Sequence, residues 1–298
     1  MFSATGPANS ESENIMTQRV VRVLLVSIIL ALSPSIPAVD FNLFPFDPGL
    51  SQFMRCYHRD PQPQKALDCF FSLDLAKFEQ RAKESNQPHS IAILYGFYAT
   101  VLHQNPSLLA PFAKALASSS DGYRAAIGME IMAYSGAPKR LNAIRFVGEK
   151  LSVSEKEMAR YESLEEYPYK AMQPTDQYLL DIVWACYFAS DDFTFLARIA
   201  AQLEPISATL EDTKVRLKAI GEKKPKPDSI EYREALALAQ GEAARFALTE
   251  VAKDDPKTLS AIARLVANTS GNVSAQLEAI LSRLGRVHRK NREEKRGA

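Results

Sequence analysis

The stretch "KDDPKTLSAIARLV" (residues 253–266) contains the end of one helix, a turn and the start of a second helix. Asp255 can cap the second helix, and Pro256 is tolerated at its first position because that N–H has no partner inside a helix. Leu259 and Ile262 then recur at the spacing of one helical face. The stretch therefore predicts a helical hairpin whose apolar face packs on the preceding helix.

Other stretches repeat this order of polar turn residue, leucine, bulky apolar residue and alanine. They are "HQNPSLLAPFAKAL" (residues 103–116), "SDDFTFLARIAAQL" (residues 190–203) and, more loosely, "GAPKRLNAIRFV" (residues 136–147). The copies begin at irregular intervals and lack the tetratricopeptide pattern. Strand alternation and Asn-Gly hairpin turns are absent from the sequence. We therefore predict an all-α protein with an irregular helical-hairpin repeat (solenoid-like) domain, and a compact helical bundle is the alternative.

The N-terminal segment "RVVRVLLVSIILALSPSIPAVD" (residues 19–40) has arginines, a short apolar run, prolines and a small exit residue, Ala38. A membrane-spanning helix needs about 20 apolar residues, and this run is much shorter. The pattern is typical of a secretory signal that is cleaved after Ala38. An uncleaved anchor is the alternative. The predicted organisation is a leader and signal over residues 1–38, a helical domain over 39–285 and a basic tail over 286–298.

The three cysteines bear on the compartment. Cys56 and Cys69 flank a turn that contains two prolines, and an exported protein can hold a disulfide. We predict a disulfide between them, with two free thiols as the alternative. A metal site that adds His58 is disfavoured because structural zinc sites use four ligands. Cys186 is expected to be a buried apolar residue.

Catalytic signatures are missing from the sequence. It has no glycine-rich phosphate loop, no G-x-S-x-G elbow and no H-E-x-x-H metal helix. The formal net charge of +1 gives no general attraction to nucleic acid. We therefore expect no catalytic residue, no metal, no cofactor and no nucleic-acid partner.

Aromatic and basic clusters are the candidate contact residues. The candidates for partner binding are Phe41, Phe44, Phe46, Tyr161, Tyr167 and Tyr169. Aromatic rings are frequent anchors of interfaces, but the same rings can also fold back onto their own protein. The candidates for contact with an anionic surface are Arg286, Arg289, Lys290 and Arg292. A frayed, solvated terminus is the alternative for this tail.

Together these patterns predict an exported, non-catalytic protein-interaction or scaffold module. We expect it in the bacterial periplasm, with association to the inner membrane, as an accessory factor of an envelope assembly such as a secretion system. Its expected partners are envelope proteins, with peripheral membrane contact and homo-oligomerisation as further expectations. The alternatives are an exported hydrolase whose site assembles only in three dimensions, and a secreted factor that acts on a host cell.

Cleavage of the signal can be tested directly. We expect the mature chain to begin at Val39, because the export peptidase recognises the small residue that ends the signal. N-terminal sequencing of a C-terminally tagged chain, purified from fractionated cells, measures this. A full-length chain that stays in the cytosol would contradict the prediction.

Overall fold

The structure is a computed structural model that describes residues 43–85, 90–226 and 229–297, without the side chains of Gln177 and residues 287–297. The predicted signal segment and Phe41 therefore lie outside the described residues. The described residues form fourteen α-helices and two 3₁₀ helices, and no strand. The all-α class predicted from the sequence is confirmed.

The α-helices are α1 (Pro48–Tyr57), α2 (Pro63–Ser72), α3 (Leu75–Glu84), α4 (Ser90–Gln104), α5 (Leu109–Ala117), α6 (Gly122–Tyr134), α7 (Arg140–Leu151), α8 (Glu155–Glu162), α9 (Gln177–Ser190), α10 (Phe193–Ala201), α11 (Leu210–Glu222), α12 (Ile230–Asp254), α13 (Pro256–Asn268) and α14 (Gly271–Gly297). The 3₁₀ helices are Pro106–Leu108 and Pro168–Lys170.

The chain divides into two compact units, whereas the sequence predicted one helical domain over residues 39–285. The larger unit contains Asn42–Ala201 and Asp255–Leu265. The smaller unit contains Gln202–Asp254 and Val266–Ala298. The chain thus leaves the larger unit after α10 and returns to it for the first turns of α13, an arrangement that local patterns do not encode.

Short polar side chains begin many of the helices. Their oxygens accept a hydrogen bond from the N–H three residues later, as for Asp121 Oδ1 and the Arg124 N–H at 3.0 Å. The described residues that cap in this way include Asp47, Asp74, Asp121, Ser154, Asp176, Thr209, Ser229 and Asp255. Each such cap contributes about 1 kcal/mol to helix stability.

The core of the larger unit lies between α4 and α9, which pack side by side along most of their lengths. Gly96 on α4 permits this approach, because a Cβ at that position would come within 2.9 Å of Ile182 Cγ2 and 3.3 Å of the Ile182 carbonyl on α9. Trp184 and Phe97 are fully buried on these two helices. The contact joins segments that are far apart in sequence.

The predicted hairpin is formed by α9 and α10, which pack against each other, with Leu196 and Ile199 buried on α10. In the copy over residues 103–116, however, α5 packs chiefly on α7. The copies therefore share a capped start and an apolar stripe but not one packing partner, and the repeat character stays a prediction.

In the smaller unit, α11 and α14 pack on α12, and a core cluster contains Leu217, Ile220, Ala235 and Leu238. Amide side chains of α14 hold the loop that precedes α11. Asn272 Nδ2 donates to the carbonyls of Glu204 at 2.7 Å and Ile206 at 2.8 Å, and Gln276 Nε2 donates to the Ser207 carbonyl at 2.9 Å. These hydrogen bonds supply donors to loop carbonyls that accept no hydrogen bond within a helix.

The predicted basic tail continues α14, whose backbone is helical to Gly297. Arg286 is exposed on this helix, and the side chains of Arg289, Lys290 and Arg292 lie outside the described residues. Among the helices of the described ranges, none has both the length and the apolar character needed to cross a bilayer.

The close approach of α4 and α9 gives a stability prediction. Gly96→Ala should lower the free energy of unfolding of the larger unit by about 1–3 kcal/mol, because the added methyl group meets Ile182. Urea unfolding followed by the fluorescence of Trp184, the single tryptophan, measures this. Gly122→Ala is the matched control, because a Cβ at Gly122 meets nothing within 4 Å. A rise in the urea midpoint for both variants would contradict the prediction.

Candidate functional site

A buried histidine–aspartate pair joins two distant segments of the larger unit. His58 follows α1, and Asp255 directly precedes α13. His58 Nε2 lies 2.5 Å from Asp255 Oδ2, and each residue is 1% exposed. Arg59 Nε lies 3.2 Å from the other carboxylate oxygen, Oδ1. The carboxylate thus has a partner on each oxygen.

Asp255 is also the cap that the sequence predicted. Its carboxylate accepts from the N–H groups of Lys257 at 3.2 Å and Thr258 at 3.3 Å, and from the Thr258 hydroxyl at 2.5 Å. Burial by itself would raise the pKa of Asp255. The hydrogen bonds from His58 and Thr258, with the charges of His58 and Arg59, outweigh burial and hold this pKa below its ordinary value. Asp255 therefore remains an ionised carboxylate in the interior.

The His58 ring is enclosed by aromatic side chains. Its centroid lies 5.4 Å from that of Tyr187 and 5.6 Å from that of Phe188. His58 Nδ1 is buried, and within the described part of the chain it has no hydrogen-bond partner. A catalytic histidine needs one nitrogen on an orienting carboxylate and the other within reach of the reacting proton. His58 has the first contact, and no described nucleophile meets the second nitrogen.

A surface pocket of about 370 Å³ lies next to this pair. It shares Tyr187 and Lys257 with the surroundings of His58, since Lys257 Nζ donates to the His58 carbonyl at 2.7 Å. The lining residues are Tyr187, Asp191 and Phe193 on the side of α9 and α10, and Pro256, Lys257, Ser260, Ala261 and Arg264 on α13. We call this the α9–α13 pocket.

One face of α13 forms the positively charged wall of the α9–α13 pocket. Ser260 and Ala261 come three and four residues after Lys257, and Arg264 comes four and three residues after them, so the four residues lie on one helical face. Ser260 and Ala261 are small, so they leave space between the two cations. The guanidinium carbon of Arg264 lies 4.8 Å from the centroid of the Phe193 ring, within the range of a cation–π contact.

The predicted aromatic arm packs on its own protein. Phe44 is fully buried and Phe46 partly buried, and each ring centroid lies 5.1 Å from that of Phe78 on α3. This packing corresponds to the alternative in which the rings fold back onto their own protein, since burial against α3 removes their apolar area from water. A role of these residues in partner binding stays a prediction. Phe41 lies outside the described residues.

The predicted tyrosine cluster is also interior. Tyr161 and Tyr169 are buried. Tyr167 stacks on the His103 ring with centroids 4.1 Å apart, and its N–H donates to the Tyr134 carbonyl at 2.7 Å. Burial raises the pKa of both Tyr167 and Tyr169 above the ordinary value. These rings stabilise the larger unit and offer little area to a partner.

Cys56, Cys69 and Cys186 are free thiols in the structure, so the disulfide predicted between Cys56 and Cys69 is not formed in it. The first two thiols have different surroundings: Gln52 Nε2 donates to Cys56 Sγ at 3.1 Å, and burial raises the pKa of the Cys69 thiol. Burial raises the pKa of Cys186 to about 12, which keeps this thiol protonated. No group of three metal-ligating side chains occurs in the described ranges.

The sequence indicated one half of the site. It predicted Asp255 as a cap, and the spacing of Lys257, Ser260 and Arg264 shows one helical face. It did not indicate His58 as the partner of Asp255, because 197 positions separate the two residues. No protein-family model, curated protein or solved structure matches the chain.

The pairing at Asp255 predicts a loss of stability on substitution. Asp255→Asn should lower the free energy of unfolding by about 3 kcal/mol, because it removes one charge of a buried pair. Asparagine can still cap α13, so the loss reports the contacts with His58 and Arg59. Asp254→Asn, at an exposed neighbour, is the control and should change little. The urea midpoint of Trp184 fluorescence measures both.

The same pair has a pH signature with a defined sign. The folded pKa of Asp255 is lowered, so its contribution is complete above the unfolded carboxyl pKa of about 4 and is lost as the pH falls below it. Asp255→Asn should therefore flatten the acid limb of stability against pH. An unchanged acid limb would contradict the assignment.

Proposed function

We propose that this protein is an exported, non-catalytic interaction module that serves as an accessory factor of a bacterial envelope assembly, such as a secretion system. The proposal places it in the periplasm, with association to the inner membrane. Its partners are envelope proteins, and homo-oligomerisation belongs to the same proposal. The helical hairpins would form an irregular, solenoid-like repeat that displays the binding surface.

The burial of His58 is the observation that supports a non-catalytic role for this protein. A hydrolase needs a base that reaches a nucleophile or a water molecule in an accessible cleft. His58 is 1% exposed, and its Nε2 is already engaged by Asp255. Ser260 lines the neighbouring pocket, whereas the His58 ring packs between Tyr187 and Phe188. This arrangement favours binding over turnover.

The α9–α13 pocket supports the binding part. It combines the partly exposed ring of Phe193 with the guanidinium of Arg264, and arginine is enriched among the residues that dominate interface energies. Its walls belong to helices, so its side chains are held at defined positions before a partner arrives. Pre-organised groups lose less conformational entropy on binding.

The envelope part rests on the N-terminal segment and on the basic composition of the last helix. Residues 19–40 have the order of a secretory signal. Arg286 is exposed on α14, and further basic residues follow it in the sequence. A basic helix can add electrostatic attraction to anionic lipids, which supports a peripheral contact with the membrane.

Crosslinking in intact cells, followed by purification of the tagged full chain under denaturing conditions, tests this function. We expect one or a few envelope proteins in amounts comparable to the chain itself, and no turnover of ester, peptide or glycoside substrates by the purified protein. Leu25→Arg, which interrupts the apolar run of the signal, is the control and should abolish capture because export fails.

Two outcomes would overturn the proposal. Recovery of no protein partner, together with turnover of a substrate, would favour the hydrolase. Accumulation of the chain in the culture medium would favour a secreted factor that acts on a host cell.

A further inference from the structure

We propose that the α9–α13 pocket binds an acidic segment of a partner protein, with carboxylates held by Lys257 and Arg264. This inference rests on the proposed function and names the chemistry that the site recognises. It goes beyond the general role of an interaction module, because it assigns the sign of the partner's charge and the residues that recognise it.

The two cations of the pocket are held in place before a ligand binds. Lys257 Nζ donates to the His58 carbonyl, and the guanidinium carbon of Arg264 lies 4.8 Å from the centroid of the Phe193 ring. A guanidinium is planar, and its five N–H groups match the two oxygens of a carboxylate. An ammonium that donates one hydrogen bond to a carbonyl has two further protons to donate. These contacts place two cationic donors on one wall of the pocket.

The spacing along α13 suits a peptide better than a single small anion. Lys257 and Arg264 lie two helical turns apart, which corresponds to about 10 Å along the axis. An extended peptide rises about 3.3 Å per residue, so acidic residues about three positions apart match this distance. Ser260 and Ala261 leave room between the cations for the peptide backbone and the intervening side chains.

The facing wall provides apolar contacts for such a peptide. The partly exposed Phe193 lines the pocket, fully buried Tyr187 lies at its base, and Pro256 adds an apolar edge. The volume of about 370 Å³ lies near the lower end of the range for ligand pockets. It is therefore large enough for a short stretch of side chains, and rings beside carboxylate-binding groups select a segment that is acidic and partly apolar.

Asp191 carries a charge opposite to that of the two cations, so its substitution tests the proposal. Of the charged groups that line the pocket, Lys257 and Arg264 are positive and Asp191 is negative. Asp191 Oδ2 lies 3.8 Å from Lys257 Nζ, and both side chains are roughly half exposed. Such a surface pair contributes at most about 1 kcal/mol, so a ligand carboxylate can compete for Lys257. Removal of the Asp191 charge should therefore strengthen the binding of an acidic peptide.

The experiment measures fluorescence anisotropy of a labelled decapeptide that has two glutamates three positions apart with leucine between them. The purified mature chain should bind it, and binding should weaken as salt rises because the contacts are ionic. Arg264→Glu should weaken binding by about tenfold or more, because it replaces attraction by repulsion. Asp191→Asn should tighten binding by about threefold.

The controls separate charge recognition from folding and from non-specific attraction. Lys114→Glu makes the same kind of change at an exposed position on α5 and should leave the affinity within about twofold. The fluorescence of buried Trp184 should be the same in all variants, which shows that the larger unit stays folded. The same decapeptide with lysines in place of the glutamates should not bind.

Several results would overturn the inference. They are equal binding of the acidic and basic peptides, unchanged binding by Arg264→Glu, weaker binding by Asp191→Asn, or displacement of the peptide by an equal concentration of free glutamate. If the crosslinked partner is still captured by Arg264→Glu at the wild-type level, the pocket inference fails while the proposed function stands. If the wild-type chain captures no partner and turns over a substrate, the function itself fails.

Discussion

Asp255 places a full negative charge inside the larger unit, and much of the site follows from how that charge is compensated. A buried carboxylate without hydrogen-bond or charge partners would destabilise the fold, because it loses its hydration and gains no compensating interaction. Here His58 and Arg59 contact it from one segment, and Thr258 and the first N–H groups of α13 contact it from another. The requirement to satisfy one charge therefore connects the start of α13 to the end of α1.

The position of α13 in turn determines the pocket. Once its first turn is anchored at Asp255, the face with Lys257 and Arg264 lies against the α9–α10 turn. Two cations on an isolated helix would move freely in solvent and bind anions weakly. Their contacts with the His58 carbonyl and the Phe193 ring restrict that motion, so the buried pair and the exposed pocket form one structural unit.

The described aromatic side chains that were candidates for partner binding pack on their own protein. Phe44 and Phe46 pack on Phe78, and Tyr167 stacks on His103. Transfer of aromatic area from water to the interior is favourable by roughly 25 cal/mol per Å², so rings that can reach a core enter it. Of the two aromatic residues that line the candidate site, Tyr187 is itself fully buried, and Phe193 stays partly exposed beside Arg264.

The sequence alone determined the helical class, the capped starts of several helices and the identity of Asp255 as a turn residue. These features depend on neighbours within a few positions, such as the acceptor at Asp121 and the N–H of Arg124. Only the tertiary structure decided that α4 packs on α9 through Gly96, that Asp255 pairs with His58, and that α13 faces Phe193. The physical reason is that a periodic sequence pattern shows which face of a helix is apolar. Which other helix packs on that face depends on steric fit and charge compensation between segments that are far apart in the chain.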